Sequence, residues 1–233
     1  DLFSPYDQYF VAVVTESATT RSELAYVNYV NYPRMRLRYR ESLSVVPQPD
    51  QVATLLLQKG GQLILPSLFD KLGAPANVDP PAPRAGKLSC LPDCYGDPCG
   101  DSTTLAQARV LVGAPGGRGR YGVVVPIVSE YARGTAWVPA LREDGTARSN
   151  LGVTSLDLGG FPSDPLRLHA EVFNGETGLA VGGLDLPPVP ANGWVQVNSI
   201  LRQFGVTQGY VRVTAINASN RTGFYAYGVI NDG

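Results

Sequence analysis

The sequence predicts an all-β protein made of two tandem β-sandwich domains, each with one short capped helical turn. The first observation is an internal repeat, in which residues 61–73 align without a gap on residues 193–205. The second is the alternation of short β-branched runs with clusters of Gly, Pro, Asn and Asp. The third is composition, because 26 Gly, 19 Pro and only 17% charged residues are not typical of a helical protein. A repeat indicates the architecture of a chain before it indicates an activity.

Four further blocks recur in the same order around that alignment. They pair residues 21–24 with 148–151, 35–39 with 166–170, 108–112 with 211–215, and 119–122 with 223–226. We therefore expect a first domain over residues 1–122 and a second over residues 123–233. The run 121–128 fits both the end of the first copy and the start of the second, which predicts a short, stiff junction.

One strand of each copy shows a clear period of two. In the first copy Met35, Leu37 and Tyr39 alternate with arginines, so one face is expected to be buried and the other polar. In the second copy the stretch from Leu166 to Phe173 alternates in the same way. Both copies are therefore predicted to expose the same face of the equivalent strand.

The repeated block also predicts a helical turn that closes one end of each sandwich. Ser67 and Ser199 are expected to accept hydrogen bonds from the free N–H groups at the start of the turn. Gly73 and Gly205 are expected to end it in the left-handed conformation. The apolar residues between them would then plug the core.

The first copy carries an insertion at about residues 74–104 that the second copy lacks. Its six prolines remove backbone donors, so we predict that it cannot form a central strand. It also holds all three cysteines, Cys90, Cys94 and Cys99. For an exported protein these predict one disulfide of open pairing and one free or intermolecular thiol. A zinc site would need a fourth ligand that the loop does not supply.

The same insertion contains the candidate metal ligands. Asp93, Asp97 and Asp101 interleave with the cysteines, and clustered carboxylates on a Gly-rich loop can hold Ca²⁺. The spacing is not that of an EF-hand. The alternative is that Asp and Gly simply form turns here.

Two groups of side chains are candidates for contact with a ligand or a neighbouring subunit. The first is a set of tyrosines near the N-terminus: Tyr6, Tyr9, Tyr26, Tyr29 and Tyr32. Such rings stack on sugars, form subunit contacts or pack at the edge of a core. The second is the arginine ladder of Arg34, Arg36, Arg38 and Arg40, which binds a polyanion or pairs with carboxylates on neighbouring strands.

No arrangement of residues indicates catalysis. His169 is the sole histidine, its strand position directs it to the polar face, and no Gly-x-Ser-x-Gly elbow occurs. We therefore predict that the protein is not an enzyme.

The order of motifs resembles that of the tandem immunoglobulin-like β-sandwich repeats of bacterial secreted and cell-surface proteins. Arg-Ser-x-Leu at residues 21–24, the Gly-led strand with its Ser-started turn, and the closing Gly-x-Tyr strand carry the resemblance. It implies an exported module of a modular protein, and it brings no catalytic residues with it.

Composition narrows the function further. The net charge of −1 gives no electrostatic case for nucleic acid or an anionic membrane, and no apolar run is long enough to insert into one. We expect an extracellular or cell-surface location, with the signal peptide already removed. We predict a structural or adhesive subunit of a surface assembly or filament, which contacts itself or other surface proteins through residues 1–9 and the tyrosines. The alternative is a carbohydrate- or ligand-binding module, with or without Ca²⁺ and with no other cofactor.

Overall fold

The chain forms two compact all-β units, Asp1–Ser129 and Glu130–Gly233. The computed structural model describes residues 9–28, 34–42, 49–73, 83–92, 104–113, 120–128, 131–157, 164–217 and 222–232. Strands dominate both units, which confirms the all-β prediction. Residues 123–128, assigned from sequence to the second domain, pair with strands of the first unit. The described residues contain no helix that is long and apolar enough to span a bilayer.

The first unit folds into two four-stranded antiparallel sheets. Its elements are β1 (Tyr9–Glu16), β2 (Thr20–Asn28), β3 (Arg34–Glu41), β4 (Gln51–Leu56), β5 (Gln62–Leu65), α1 (Leu68–Lys71), β6 (Arg84–Pro92), β7 (Thr104–Gly113) and β8 (Arg120–Val128). One sheet has the order β4-β3-β6-β1 and the other β5-β2-β7-β8. The end of β8 also pairs with β1, so this strand joins the two sheets at one side.

The second unit has a three-stranded and a four-stranded sheet. Its elements are β9 (Thr135–Arg142), β10 (Ala147–Asp157), β11 (Leu168–Asn174), β12 (Ala180–Asp185), β13 (Trp194–Val197), a 3₁₀ turn (Arg202–Phe204), β14 (Gln208–Ala215) and β15 (Thr222–Asp232). The sheets have the orders β12-β11-β14-β9 and β13-β10-β15. Buried side chains such as Val153, Val172 and Phe224 form a continuous core.

Both units have the same strand order. Numbered from the first strand of each unit, the sheets read 4-3-6-1 and 5-2-7, with β8 as an additional strand in the first unit. The order differs from that of an immunoglobulin constant domain, whose sheets read 1-2-5-4 and 3-6-7. The registers also agree, since Leu24 faces Leu65 in the first unit and Leu151 faces Val197 in the second. These are the positions that the sequence alignment made equivalent.

A buried serine makes the same pair of hydrogen bonds in each unit. The Ser22 hydroxyl accepts from the Thr15 N–H and donates to the Thr15 carbonyl, both at 2.8 Å. The Ser149 hydroxyl accepts from the Arg142 N–H at 2.7 Å and donates to the Arg142 carbonyl at 2.5 Å. Both serines are fully buried and lie seven residues after their partners. The hydroxyl thereby satisfies two backbone groups where the chain leaves the first strand of the unit.

The predicted insertion contains a central strand. β6 pairs with β1 on one side and with β3 on the other, so the prediction that residues 74–104 cannot form a central strand is wrong. The strand has no proline before its last position, since Pro83 stands just before β6 and Pro92 ends it. β6 therefore holds the place that β14 holds in the second unit, and β7 holds that of β15. The alignments of residues 108–112 and 119–122 do not match the sheet positions.

The helical turns close the cores, although their serines do not cap them. Leu68 and Phe69 of α1 are buried, and the Phe69 ring packs edge-on against Tyr39 with ring centroids 4.9 Å apart. Ser67 makes no side-chain hydrogen bond to the turn, and Ser199 does not start the 3₁₀ turn, so the predicted serine caps are wrong. The predicted left-handed ends are confirmed, because Gly73 and Gly205 both have φ of 67°.

The alternating strands are confirmed in both units. Met35, Leu37 and Tyr39 of β3 are almost completely buried, whereas the arginines between them lie on the other face. In the second unit Leu168, Ala170 and Val172 are buried and the residues between them are accessible.

Candidate interaction sites

The outer edge of β7 is covered by another strand. β8 pairs with it antiparallel over seven positions, from Gln107 opposite Pro126 to Gly113 opposite Arg120. β8 then reaches β1, where Val128 lies opposite Phe10. An edge strand that is paired in this way cannot recruit a further strand.

The corresponding edge in the second unit has no described partner strand from Ala226 to Ile230. β15 pairs with β10 over eleven positions and ends its sheet. On its other side Phe224 exchanges two hydrogen bonds of 2.8 Å with Ala132. Backbone groups alternate in direction along a strand, so those of Ala226, Gly228 and Ile230 also point away from β10. No strand in the described part of the chain pairs with these three residues, which we call the open edge.

An exposed group of aromatic rings lies on the outer surface of the four-stranded sheet of the second unit. Trp137 on β9, Phe173 on β11 and Tyr210 on β14 have ring centroids 5.0–5.8 Å apart, and Phe173 and Tyr210 are stacked. The Trp137 side chain is 54% exposed. We call these three rings, with Arg212 and Glu171, the aromatic face.

Charged groups border the aromatic face. The Arg212 guanidinium lies 5.7 Å from the ring centroids of both Trp137 and Phe173. Arg212 also forms an ion pair with Glu171 on the neighbouring strand. Stacked rings beside fixed donors and acceptors form a surface with both apolar and hydrogen-bonding contacts.

The five predicted tyrosines do not form a described platform. Tyr26 points into the core of the first unit with 3% exposure, and burial raises its pKa to about 12. Tyr26 is therefore a core residue rather than an interface residue. Tyr9 belongs to β1, and its side chain lies outside the described part of the structure. Tyr6, Tyr29 and Tyr32 lie outside the described residues.

The arginine ladder is partly neutralised by a carboxylate. Arg40 donates from Nε and Nη2 to the two Asp50 oxygens, at 2.8 and 2.9 Å. The Arg38 Nε lies 3.7 Å from the same carboxylate. Arg34 is exposed and Arg36 half-buried on the same strand. Pairing with carboxylates on neighbouring strands was the alternative to polyanion binding, and Arg38 and Arg40 do pair with a carboxylate, Asp50, which immediately precedes β4.

The cysteine and aspartate predictions divide between described and undescribed residues. Cys90 is a free thiol, fully buried on β6, and desolvation raises its pKa to about 12. Cys90 fits the free thiol of the prediction, because its side chain points into the core, and the disulfide itself stays a prediction. The remaining residues of these predictions, Cys94, Cys99, Asp93, Asp97 and Asp101, lie outside the described residues. Within the described part, no group of three or more His, Cys, Asp or Glu side chains is placed to bind a metal.

Sequence reasoning missed both the open edge and the aromatic face. The aromatic face brings together one ring from each of three strands. Phe173 and Tyr210 are far apart in sequence and become neighbours because they pair across β11 and β14. One sequence signal could have indicated the aromatic face, namely an apolar ring at an outward position of an alternating strand. Phe173 is such a ring, because it follows the inward-facing Val172 on β11. The open edge depends on strand order, which has no local signal.

Comparisons with known proteins leave the family open. No protein family and no curated protein matches the chain. Among solved structures, the chain is similar to a chain in the structure of infectious bursal disease virus, Gx strain, with 10% identity and a TM-score of 0.21. The alignment covers 97% of this chain and spans 57% of that one. At this TM-score the similarity assigns neither a fold nor a function.

Proposed function

We propose that this protein is a non-enzymatic, extracellular structural module that assembles with copies of itself through strand pairing. One observation carries the proposal: the edge of β7 is covered by β8, whereas the open edge of β15 is not covered by any described strand. Sheet proteins usually protect such edges, since an exposed one accepts strands from other chains. An edge left open in one unit and covered in the other is suited to assembly.

The proposal includes the origin of the two units as copies of one module. Shared strand order, shared registers and the paired bonds of Ser22 and Ser149 support it. In the sheets, Met35 of β3 occupies the position of Leu168 of β11, two residues from the Leu166 that the sequence alignment gave, and this displacement supports old and divergent copies. The second unit is incomplete beside β15, at the place where the first unit has β8 as an additional strand.

The strand order supports a jelly-roll module. An eight-stranded jelly roll has two four-stranded sheets, and its first strand pairs with its last. β8 lies beside β7 in the place of that first strand, although it follows β7 in the chain. The second unit has seven strands in the same order, and the first-strand position beside β15 is open in the described residues. A strand from outside the unit would complete this sheet.

The test is the oligomeric state of the full chain. We expect multimers whose mass rises with concentration in light scattering, and rows or fibres in electron microscopy. A monomer at about 100 μM, a concentration that saturates contacts of micromolar Kd, would overturn the proposal.

A second candidate function is carbohydrate binding, which the aromatic face favours. The exposed Trp137 ring offers an apolar surface for the C–H groups of a sugar, and Arg212 and Glu171 offer a donor and an acceptor for its hydroxyls. We expect oligosaccharides on a glycan array to bind the protein and to quench its tryptophan fluorescence. Trp137→Ala should abolish this response, whereas Trp194→Phe, on the other sheet, should retain it. An array without any bound glycan would remove this candidate.

A further inference from the structure

We propose that the aromatic face binds a neutral, β-1,4-linked glycan, with one sugar ring on Trp137 and the next sugar over polar residues beside it. This inference rests on the carbohydrate binding proposed above, and it names the class of glycan, its direction on the sheet and the residues that reject acidic sugars. Three adjacent rows of side chains on the outer surface of the four-stranded sheet carry it.

The registers of the four strands define these rows. The first row pairs Phe173 with Tyr210. The second row places four residues opposite one another across the sheet: Gly183, Glu171, Arg212 and Trp137. The third row does the same with four polar residues: Asp185, His169, Thr214 and Thr135. Neighbouring rows are two residues apart on each strand, so they lie on one face, about 7 Å apart.

Trp137 is the ring on which a sugar can stack. Phe173 and Tyr210 are almost parallel, with an angle of 3° between their planes and centroids 5.0 Å apart, so each covers one face of the other. The Trp137 ring is tilted by 50° and 48° from these two rings, and its side chain is 54% exposed. Trp137 therefore offers apolar surface that the other two rings bury against each other.

A pyranose with equatorial substituents fits this surface. Such a sugar presents axial C–H groups on its faces and directs its hydroxyls outward from its rim, so it stacks on an aromatic ring while its hydroxyls bond to groups around that ring. The Arg212 guanidinium lies 5.7 Å from the Trp137 centroid and is paired with the Glu171 carboxylate. The Arg212 and Glu171 side chains are 43% and 29% exposed, so both are accessible to hydroxyls.

The third row gives the direction of the glycan chain. Thr135 precedes Trp137 by two residues on β9, and Thr214 lies opposite Thr135. The His169 ring is one strand further, where its Nδ1 lies 2.8 Å from an Asp185 oxygen. A second sugar placed along β9 therefore meets hydroxyl groups that can donate and accept. A β-1,4 linkage between equatorial positions keeps successive rings in line along the strand, whereas an α-1,4 linkage turns the chain away from it.

The ion pair makes the face selective for neutral sugars. Glu171 neutralises Arg212, and the third row adds a further carboxylate, Asp185. A sugar carboxylate has to compete with Glu171 for the guanidinium and is repelled by it at short range. Hydroxyls donate to the carboxylate and accept from the guanidinium without separating the pair. The charges of the face are therefore complementary to an uncharged ligand with many hydroxyls.

Comparison with the first unit supports a role of these residues in binding. The equivalent of the second row there consists of Arg38, Ser89 and Phe10. Phe10 and Ser89 are buried, with 1% and 8% exposure. The strand order that the units share therefore requires neither an exposed indole nor an ion pair at this place. The second unit has both, side by side.

The experiment compares neutral and acidic ligands of the same geometry. Cellotetraose is a neutral β-1,4-linked tetrasaccharide, and β-1,4-tetraglucuronate has the same linkage with a carboxylate in place of the hydroxymethyl group of each sugar. Maltotetraose, which is α-1,4-linked, tests the linkage. Titration calorimetry with up to about 5 mM ligand detects Kd values into the millimolar range.

Trp194→Phe is the matched control variant. Trp194 lies on the other sheet of the second unit, where its Nε1–H donates to the Tyr227 hydroxyl at 2.7 Å. The chain contains two tryptophans, so Trp137 is the sole fluorophore of its kind in this variant. Its fluorescence then reports the proposed site directly. Circular dichroism melts establish that each variant is folded.

We expect cellotetraose to quench Trp137 fluorescence in the control variant and to bind at least tenfold more tightly than tetraglucuronate or maltotetraose. Trp137→Ala should weaken the binding of cellotetraose at least tenfold in calorimetry, and Trp137→Phe should restore most of it. Glu171→Gln should strengthen the binding of tetraglucuronate at least tenfold, because it leaves the Arg212 guanidinium unpaired, and should change cellotetraose binding less than about threefold. A merely structural ion pair would leave the preference between the two ligands unchanged.

The outcomes separate this inference from the proposed carbohydrate binding. No binding of any tetrasaccharide or of any glycan on an array would overturn both. Binding that survives Trp137→Ala, equal affinity for cellotetraose and either other ligand, or array binding of other glycan classes alone would overturn the inference and leave carbohydrate binding of another kind. If Glu171→Gln fails to fold, the comparison of ligands on the unmodified chain decides. Multimers that are lost in Trp137→Ala, without any sugar binding, would overturn the inference and assign the face to contacts between copies.

Discussion

Removing the buried serine hydroxyl should destabilise the two units by similar amounts. The changes are Ser22→Ala and Ser149→Ala. Each hydroxyl accepts one hydrogen bond from a backbone N–H and donates one to the carbonyl of the same residue, at 2.5–2.8 Å. Each serine is also fully buried, so water does not replace the lost partner without rearrangement.

The magnitude follows from these two bonds. A typical intramolecular hydrogen bond contributes about 1 kcal/mol to stability, and a buried group left without a partner raises the loss to about 1–3 kcal/mol. We therefore expect each substitution to lower the free energy of unfolding by about 2 kcal/mol. For a domain of about 100 residues this lowers Tm by roughly 10 °C.

The assay is calorimetry of each variant, with chemical denaturation as the second measurement. Ser67→Ala is the control, because Ser67 stands at a helix start but makes no side-chain cap bond. It should change stability by less than about 0.5 kcal/mol, below the usual effect of a true cap. The reasoning fails if Ser22→Ala and Ser149→Ala melt with the control, or if only one of the two units loses stability.

Three further predictions address packing, reactivity and alkaline stability. Gly86→Ala and Gly209→Ala should each lower the free energy of unfolding by about 2–3 kcal/mol, because a Cβ at either position would overlap a carbonyl oxygen of the neighbouring strand. Gly134→Ala is the control and should melt like the wild type, because open space surrounds that position. Equal melting of all three variants would contradict the packing argument. Cys90 should react with a thiol reagent only after unfolding, because burial raises its pKa to about 12, and rapid modification of the native protein would contradict its place in the core. Burial also raises the pKa of Tyr26 to about 12, so the stability that the protonated Tyr26 contributes is full below pH 10 and is lost as the pH rises to about 12. Tyr26→Phe should reduce this alkaline loss of stability in circular dichroism melts. An unchanged alkaline midpoint in that variant would refute the prediction.

Local pattern was enough to predict the parts of the fold that depend on alternation. The burial of Met35, Leu37 and Tyr39 follows from a period of two, and the left-handed Gly73 follows from the end of a helical turn. The alignment of residues 61–73 with 193–205 also placed equivalent strands in the same register. These features depend on neighbours in sequence, which a single chain displays directly.

The errors arose where a local feature was given more weight than tertiary context. The prolines around residues 74–104 suggested an excursion, yet residues 84–91 contain none and their strand is completed by β1 and β3. Serine at a helix start suggested a cap, but the backbone around Ser67 is satisfied without its hydroxyl.

The candidate sites are positions at which the two units differ within one framework. Phe10 and Trp137 occupy equivalent positions on the first strand of each unit. Phe10 lies opposite Ser89 on β6, and Trp137 lies opposite Arg212 on β14, the strand equivalent to β6. Phe10 is only 1% exposed, whereas Trp137 is 54% exposed. The edges show the same contrast, because β7 is covered by β8, whereas no described strand pairs with Ala226, Gly228 and Ile230 of β15 on their outward side. Because both framework positions are covered in the first unit, their exposure in the second is not required by the strand order that the two units share.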